Sequence, residues 1–426
     1  MSIRVHSSFP AKRLKYVVKL RRSRALSNEA RGPFIGLEHI ESWTGKLAGD
    51  LLFVEEVNAF SSGDSDSLSN TFELDDVLFG KLRPYLAKVW IAEFAGRCTT
   101  EFLVMQSVSA EPRFLKYVFL RREFIDIVDA ATFGSRMPRA EWDFIGNIEI
   151  PLPPLPQQRA IADYLDRETA KIDALIAAKQ RLLALLAEKR RALITRAVTR
   201  GLDPTVPLRD SGIPWLGEIP AHWSLCHLKR VLENLDYGIS AVIEPTGNVI
   251  VLRMGDIQDG EIDYRNVGFV DEVEERLLLR PRDLIFNRTN SLDQIGKVAL
   301  FRGLADYPVS FASYLVRLRC SPRVLPEYLN WLLNSTFALA WGRAEALPAI
   351  GQAHLNPNRY GYLPIALPPI AEQHAIVEHI ARETAKLDAL RAAIERSIAL
   401  LNERRAALIA AAVMGEIEVG VTHEAL

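Results

Sequence analysis

The chain has 426 residues, which is enough for about three domains of roughly 150 residues, each with its own core. Hydrophobic residues make up 49% of it and charged residues 25%, so a wholly disordered or collagen-like chain is excluded. The formal net charge of -1 excludes a uniformly basic protein, but segregated charges still allow a local basic face.

The sequence predicts a cytoplasmic protein without a membrane segment. No stretch reaches about 18 consecutive apolar residues, and no apolar segment of the signal-peptide kind follows the first basic residues. The cysteines Cys98, Cys226 and Cys320 are widely spaced and form no CxxC pair, which is typical of the reducing cytosol. Transmembrane and secreted proteins are therefore excluded as interpretations.

The N-terminal stretch is strongly basic. Nine Lys or Arg residues lie between Arg4 and Arg31, against the single acidic residue Glu29. Clustered cations of this kind can contact phosphates, which position a protein on DNA without reading its sequence. A merely solvated basic surface is the alternative.

Residues 1–152 predict a first globular domain with short β-like runs and turn signals. Two of its loops carry long polar side chains, one after the strand that ends at Phe79 and one that begins at Gly134. Arg and Lys pair bidentately with guanine, so these loops predict a surface that reads base edges. The alternatives are a solvated turn and a plain connector to the next helix. The candidate DNA-binding residues are Lys81, Arg83, Ser135, Arg136 and Arg139.

Residues 153–204 predict a first long helix. Prolines from Pro151 to Pro156 open it, and some 40 residues without Pro or Gly follow. Apolar residues recur with heptad-like spacing, which predicts pairing with a second helix as a coiled coil. At 1.5 Å per residue this helix extends roughly 60 Å, too long for one small domain. The predicted seam consists of Ile161, Leu165, Ile172, Leu175, Leu182, Leu186 and Leu193.

Residues 205–367 predict a second globular domain with polar loops at corresponding places. One loop follows the strand after Asp283, and the other begins at Gly351. Asn pairs bidentately with adenine, so the chemistry offered to base edges differs from that of the first domain. A solvated turn and a plain connector are again the alternatives. The candidate DNA-binding residues are Asn287, Arg288, Thr289, Asn290, Gln352, His354, Asn356 and Arg359.

Residues 368–426 predict a second long helix with a C-terminal tail, and they complete an internal repeat. Residues 366–413 align with 151–198 at a constant offset of 215, with about 27 identities in 48 positions and no gap. The duplication predicts an α+β protein with an internal pseudo-twofold repeat, in which each of two mixed α/β domains precedes one of two long helices that pair as a coiled coil. The second predicted seam consists of Ile376, Ile380, Leu387, Leu390, Leu401 and Leu408.

Motifs of catalysis and of metal or cofactor binding are missing from the sequence. It contains no GxGxxG, no GxxxxGK[ST], no HExxH, no GxSxG, no NPPY-type methyltransferase motif and no evident acidic nuclease cluster. Cys226 and His227 form an isolated pair without further metal ligands. The pattern is typical of a non-catalytic binding protein, and a complete enzyme is the rival interpretation.

Over essentially the whole chain, this arrangement resembles the specificity (S) subunit of type I restriction-modification systems. The resemblance rests on the Leu-Pro-Pro-x-x-x-Gln helix openings at Leu152 and Leu367, on the two Arg-Glu-Thr-Ala-Lys-[Ile/Leu]-Asp-Ala-Leu runs, and on the segment 208–223. The second copy departs from the first at Ala371 and Glu372, where the first has Pro156 and Gln157.

The resemblance implies a non-catalytic subunit that binds double-stranded DNA. Two target recognition domains, separated by two long antiparallel coiled-coil helices, would each read one half of a split, asymmetric site. Because the paired helices are rigid, we also expect their length to set the number of unread base pairs between the halves. Its implied partners are two modification (methyltransferase) subunits, which use S-adenosylmethionine to methylate adenine, and restriction (motor-nuclease) subunits, which use ATP and Mg²⁺. No cofactor or metal is implied for this subunit itself. The alternative is a coiled-coil scaffold that binds proteins without DNA readout.

Overall fold

The computed structural model describes residues 8–26, 33–48, 68–134, 136–304, 307–349 and 351–420. The chain divides into two compact units: unit 1 is Met1–Lys179 with Glu395–Leu426, and unit 2 is Gln180–Ile394. Both cuts fall inside a long helix, so each unit combines one globular part with part of each long helix. The predicted fold class, an α+β protein with two long helices that pack together, is confirmed.

Unit 1 is built from short strands, three short helices and parts of the long ones. In chain order the described elements are β1 (Ala11–Arg13), β2 (Val18–Leu20), β3 (Arg24–Leu26), β4 (Phe34–Ile35), β5 (Leu68–Phe72), β6 (Val77–Gly80), β7 (Val89–Ile91), β8 (Gly96–Cys98), β9 (Phe102–Ser107), α1 (Pro112–Phe119), α2 (Arg122–Ala130), α3 (Trp142–Ile145), β10 (Glu149–Pro151) and the first part of α4 (Leu155–Arg200).

The strand that leads to the first polar loop is a central strand of its sheet. β6 pairs antiparallel with β9 and β7, in the order β2-β9-β6-β7. Val77 and Phe79 belong to a core that also contains residues of α1 and α2, while Leu78 belongs to a second core with Phe72 and Trp90. Because both faces of β6 are buried, the point at which the chain leaves the sheet is fixed.

Unit 2 repeats this plan with more strands. Its described elements, after the end of α4, are β11 (Leu208–Asp210), β12 (Glu218–Pro220), β13 (Ser224–His227), β14 (Leu232–Tyr237), β15 (Val249–Leu252), β16 (Ile257–Gln258), β17 (Glu261–Ile262), β18 (Gly268–Val270), β19 (Leu284–Asn287), β20 (Thr289–Asn290), β21 (Val298–Leu300), β22 (Val309–Phe311), β23 (Leu315–Cys320), α5 (Pro326–Leu333), α6 (Thr336–Glu345), β24 (Leu347–Ala349), β25 (Gln352–His354), α7 (Pro357–Tyr360), β26 (Pro364–Leu367) and the first part of α8 (Ile370–Met414).

β19 in unit 2 corresponds to β6 in unit 1. It lies in the order β14-β23-β19-β21, and all its pairings are antiparallel. Leu284 and Phe286 belong to one core, whereas Ile285 belongs to another, so this strand is also buried on both faces. The second polar surface therefore starts from an equally rigid strand.

The boundaries of the long helices follow from their Pro and Gly residues. α4 begins at Leu155 and α8 at Ile370, each directly after a Pro-Pro pair, because Pro lacks the N–H that a helix interior requires. Gly201 and Gly415 follow the two helices with φ of +71° and +75°, a conformation that L side chains disfavour. None of the helices in the described ranges is long and apolar enough to cross a membrane.

In each unit, the two long helices contribute to the same core as the globular part. The predicted seams thus contain residues that are buried, and the pairing in each unit joins the first half of one helix to the second half of the other. The shared core residues are Ile161, Leu165, Ile409 and Val413 in unit 1 and Ile194, Val198, Ile376 and Ile380 in unit 2.

The predicted seams are wrong at three positions. Leu175, Leu182 and Leu390 are 52%, 42% and 46% exposed. A straight α-helix has 3.6 residues per turn and drifts away from a strict heptad stripe. In addition, the globular parts cover one stripe of each helix, which the heptad pattern does not anticipate.

A buried glutamine attaches each long helix to its globular part. The Gln158 side chain accepts a hydrogen bond from the backbone N–H of Glu111 at 2.9 Å and donates to the carbonyl five residues before it at 2.7 Å. Gln373 accepts from the backbone N–H of Leu325 at 2.8 Å and also donates five residues back, at 2.9 Å. Glu111 and Leu325 directly precede α1 and α5, so the same contact fixes both globular parts on their helices.

Candidate nucleic-acid interface

The structure joins the two polar loops of unit 1 into one surface. The Arg83 backbone N–H donates to the Pro138 carbonyl at 2.8 Å, and the Ala140 N–H donates to the Lys81 carbonyl at 3.0 Å. Between these bonds, Leu82 and Arg139 form an antiparallel β-bridge. Loops that the sequence predicts separately are therefore held side by side at the end of β6.

Three of the predicted cations in unit 1 are available to a ligand. Arg83 and Arg136 are exposed and Lys81 is half-buried. None of the three forms an ion pair or a side-chain hydrogen bond with another residue of the described ranges. Arg83 also has a φ of +50°, and it begins the tight turn Pro84–Leu86. Ser135, the remaining candidate on this loop, lies outside the described residues.

Arg139 already has a carboxylate partner. Its Nε lies 3.2 Å from Oε1 and 3.0 Å from Oε2 of Glu101, and its Nη2 lies 3.0 Å from Oε1. The hydrogen bond with Glu101 raises the pKa of the Arg139 guanidinium. The Arg139 backbone also exchanges two hydrogen bonds with Phe133, both of 3.1 Å. This arginine therefore connects Phe133, through its backbone, with Glu101, through its side chain.

Unit 2 contains the same junction with different side chains. Thr289 pairs with His354, as Leu82 pairs with Arg139 in unit 1. The Leu355 backbone N–H donates to the Arg288 carbonyl at 2.8 Å, in the manner of Ala140 and Lys81. The loops of unit 2 form a small sheet with the strand order β20-β25-β24. The duplicated halves have therefore kept the backbone of this surface and changed its chemistry.

Two of the candidates in unit 2 lie inside the protein. Asn287 is 1% exposed and Thr289 is 0% exposed. The Asn287 amide donates to the Met254 carbonyl at 3.0 Å, and the Thr289 hydroxyl lies 3.0 Å from Nδ1 of His354. These side chains hold loops together, and they do so in a region that the surrounding core keeps rigid.

Two further candidates take part in local structure. The Asn356 side chain accepts a hydrogen bond from the backbone N–H of Asn358 at 2.9 Å, and it thereby caps the short helix α7. Arg359 forms an ion pair of 3.2 Å with Glu345 in which the arginine is largely exposed. Exposed pairs of this kind are weak, so Arg359 can exchange its partner for a ligand.

The remaining candidates in unit 2 point to a surface that is less charged than that of unit 1. Gln352 is exposed and has no side-chain hydrogen bond within the described part of the chain, while Asn290 is half-buried. The Arg288 guanidinium donates to the Ser313 carbonyl at 3.2 Å and lies over the Tyr237 ring at 5.2 Å. Amides dominate here, whereas free guanidinium and ammonium groups dominate in unit 1.

Sequence reasoning missed the residues that orient these groups. Glu101 is 38 positions from the arginine it binds, and Tyr237 is distant in sequence from Arg288. No periodicity or motif connects residues at such separations. The polar loops recur together in both halves of the sequence. This recurrence is the one sequence signal that the two loops of each half form a single surface.

The basic N-terminal stretch contributes both paired and free cations. Arg21 donates to Asp76 at 2.6 Å and to Glu73 at 3.1 Å, and the hydrogen bond with Asp76 raises the pKa of Arg21. Lys12 and Lys19 are exposed. Arg4 and Arg31, which bound this stretch in the sequence, lie outside the described residues.

Comparisons with known proteins agree on one family. The family model for the type I restriction modification DNA specificity domain matches residues 72–184. The chain is 25% identical over 331 residues to the type I restriction enzyme EcoKI specificity subunit of Escherichia coli K12, which covers 76% of this chain and 68% of that protein. It is 28% identical over 195 residues to the putative type I restriction enzyme MjaX specificity subunit of Methanocaldococcus jannaschii, 45% of each chain.

A solved structure extends the likeness in fold to nearly the whole chain. It comes from work on complex assembly and conformational transition of the type I R-M system, and it superimposes with a TM-score of 0.73 at 18% identity. The match covers 96% of this chain and 98% of the other. At this identity the superposition supports the architecture described above, with two globular parts and two long helices.

Proposed function

Since the chain belongs to the type I restriction-modification specificity subunits, we propose that it reads a bipartite, asymmetric site on double-stranded DNA. One observation carries this proposal. Both units build the same junction of two loops at the end of a buried strand, yet they present different side chains on it. Equal scaffolds with unequal chemistry suit two half-sites of unequal sequence.

The side chains suit different base edges. In unit 1, Arg83, Arg136 and Lys81 supply donors that can pair with guanine N7 and O6 or with phosphates. In unit 2, Gln352 and Asn290 carry amides, the group that pairs bidentately with adenine N6 and N7. In this proposal Arg139 and Thr289 position these loops and do not touch the DNA themselves.

The helices offer equivalent surfaces to two identical partners. Leu175 and Leu390, which are 215 positions apart, are 52% and 46% exposed, and Leu185 and Leu400 are 60% and 63% exposed. Exposed leucines at matching positions of a repeat are typical of a surface that another protein covers. We propose that one modification subunit docks on each of these two equivalent helix surfaces.

In this proposal the chain contributes recognition and its partners contribute chemistry. The modification subunits would bind S-adenosylmethionine and methylate adenine, and the restriction subunits would use ATP and Mg²⁺. Methylation requires the adenine to leave the base stack, so this chain's part is to place the partner at the correct base pair. Because its target is DNA, we propose that the complex acts in the cytoplasm.

Single-molecule methylation sequencing tests the proposal. Genomic DNA is compared between cells that carry this chain with its cognate modification subunit and cells that lack only this chain. We expect a bipartite adenine-methylation motif, with a fixed unread gap, in the first cells only. If methylation is active and no motif depends on this chain, the proposal is wrong and a protein-binding scaffold is favoured.

Variants in one unit assign the half-sites. We expect Arg136→Ala to weaken or relax one half of the motif and Gln352→Ala to affect only the other half, because the two residues lie on separate units. Glu93→Ala, at an exposed site after β7, is the control that should leave both halves unchanged. A variant that alters both halves equally contradicts the assignment of one half-site to each unit.

A further inference from the structure

Each unit exposes a large apolar side chain beside its polar surface. Phe133 is 76% exposed and Leu347 is 62% exposed. Phe133 pairs with Arg139, and Leu347 pairs with His354, and these partners occupy equivalent places in the two junctions. Phe133 and Leu347 are therefore counterparts, 214 positions apart: Phe133 forms an isolated β-bridge with Arg139, and Leu347 lies in β24, the edge strand of its small sheet.

A second apolar pair lies on the other loop of each junction. Tyr85 follows Arg83 by two residues and is 45% exposed, and Leu292 follows Asn290 by two residues and is 55% exposed. In both units, each of the two loops that carry the polar side chains thus also carries an exposed apolar residue, and we call this pair of apolar residues the bracket. Single exposed apolar residues are ordinary on protein surfaces, but the same bracket in both halves of a diverged repeat is not explained by chance exposure.

The charged residues beside the bracket indicate which kind of ligand covers it. In unit 1, Lys81, Arg83 and Arg136 are free of ion pairs with described residues, so a purely apolar partner would have to desolvate three cations. A duplex satisfies both features, since its phosphates accept from the cations and its stacked bases offer apolar faces. In unit 2, Leu347 lies on the edge strand β24, where an exposed apolar residue is otherwise an aggregation risk.

We propose that Phe133 and Leu347 are wedges that insert between neighbouring base pairs, one in each half-site, and locally unstack them. This inference rests on the proposed function, because it places DNA on the same surface. Tyr85 and Leu292, which are exposed on the other loop of each junction, add apolar surface to the same interface. The specificity of each unit then includes a contribution from how easily the wedged base step deforms, in addition to hydrogen bonds with base edges.

The experiment uses the complex of this chain with its modification subunits and duplexes that carry the motif found by methylation sequencing. Affinity is measured as a function of salt for the wild type, Phe133→Ala and Leu347→Ala. We expect each variant to bind about tenfold more weakly with an unchanged salt slope, because an apolar contact releases no counterions. Arg136→Ala, in contrast, removes a cation from the interface and should reduce the slope by about one.

A duplex with one mismatched base pair at the wedged step isolates the unstacking. A mismatched base pair is already partly unstacked. We therefore expect Phe133→Ala to regain, on the mismatched duplex, most of the affinity that it loses on the matched one. The step is located with 2-aminopurine, whose fluorescence should rise on binding of the wild type and rise less with the variant. Phe133→Leu, which keeps an apolar side chain, should retain most of the affinity.

Matched controls separate insertion from folding and from partner binding. Leu74→Ala and Leu304→Ala remove exposed leucines that are 62% and 39% exposed and lie before β6 and after β21, away from the junctions. Both should bind like the wild type. Mass photometry measures assembly with the modification subunits, which should be the same for all variants.

The outcomes are distinguishable. If the wild-type complex binds no motif duplex, the proposed function fails and the wedge with it. If the wild type binds and both alanine variants match it in affinity and 2-aminopurine signal, the wedge is wrong and the proposed function stands. Loss of assembly in Phe133→Ala would make the side chain a partner contact and would also overturn the wedge.

Discussion

Arg405 of α8 and Asp173 of α4 form an ion pair in unit 1, with 3.0 Å between Nε and Oδ1. In unit 2, Arg190 of α4 and Asp388 of α8 form the reciprocal pair at 3.7 Å. Each residue lies 215 positions from its counterpart, so the duplication exchanges the helices that carry the acid and the base. The pairs thus fix the same antiparallel register in both units.

The two pairs differ in burial, which predicts unequal effects on stability. Arg405 is 7% exposed, and it also donates to the backbone carbonyls of Trp43 and Thr44 at 2.8 and 3.3 Å. We expect Arg405→Ala to lower the free energy of unfolding by about 3 kcal/mol, because a buried pair loses one partner. Arg190→Ala should cost less than about 1 kcal/mol, because that pair is more exposed. Equal shifts of the urea midpoint in the two variants contradict this prediction.

The buried glutamines should be sensitive to loss of either hydrogen-bonding group. Gln158→Ala leaves a buried N–H and a buried carbonyl without partners, so we expect a loss of about 2 kcal/mol. Gln158→Glu keeps an acceptor but loses the donor and introduces a buried charge, and it should be at least as unstable. Gln180→Ala, an exposed site on the same helix, is the control. Chemical denaturation of the three variants gives the comparison, and a stable Gln158→Glu would refute the role of the donor.

Asp166 makes unit 1 sensitive to acid. Burial opposes its ionisation, but hydrogen bonds from Tyr117 and Lys116 outweigh burial and lower the pKa of the carboxyl. A lowered folded-state pKa gives stability that is complete above the unfolded value of about 3.9 and is lost as the pH falls through the folded value.

Asp166→Asn is therefore expected to reduce stability at pH 7 and to flatten its decline below about pH 4. Thermal melts between pH 7 and pH 3 measure both effects. Asp163→Asn, a more exposed neighbour that also contacts Arg113, should keep the wild-type decline. If Asp166→Asn and the wild type lose stability in parallel below pH 4, another carboxyl is responsible.

Gly415 combines a special backbone conformation with close packing. Its φ is +75°, and a Cβ there would lie 2.1 Å from Oγ of Ser8 and 2.6 Å from the Phe9 ring. We expect Gly415→Ala to destabilise unit 1 by more than about 2 kcal/mol, since both strain and overpacking contribute. Gly212→Ala has a φ of +72° but open space around it, and it should cost only about 1 kcal/mol of backbone strain. Thermal melts in which the two variants lose the same stability would show that packing at Gly415 contributes nothing.

The sequence by itself determined the repeat, the long helices and the place of the polar loops. Pro and Gly set the helix ends through their backbone chemistry, as at Leu155 and Gly201, and such signals act within a few residues. The constant offset of 215 also identified the equivalent positions on the two long helices. These features are local or repetitive, so one sequence is enough to read them.

Only the tertiary structure decided which polar and apolar residues are available. Thr289 and Gln352 both look suitable in the sequence, yet one is completely buried and the other exposed. Leu165 and Leu175 share a heptad pattern, but only the first is covered. The physical reason is that burial depends on strand pairing and packing between residues far apart in the chain, such as Leu82 and Arg139, and no local pattern encodes those contacts.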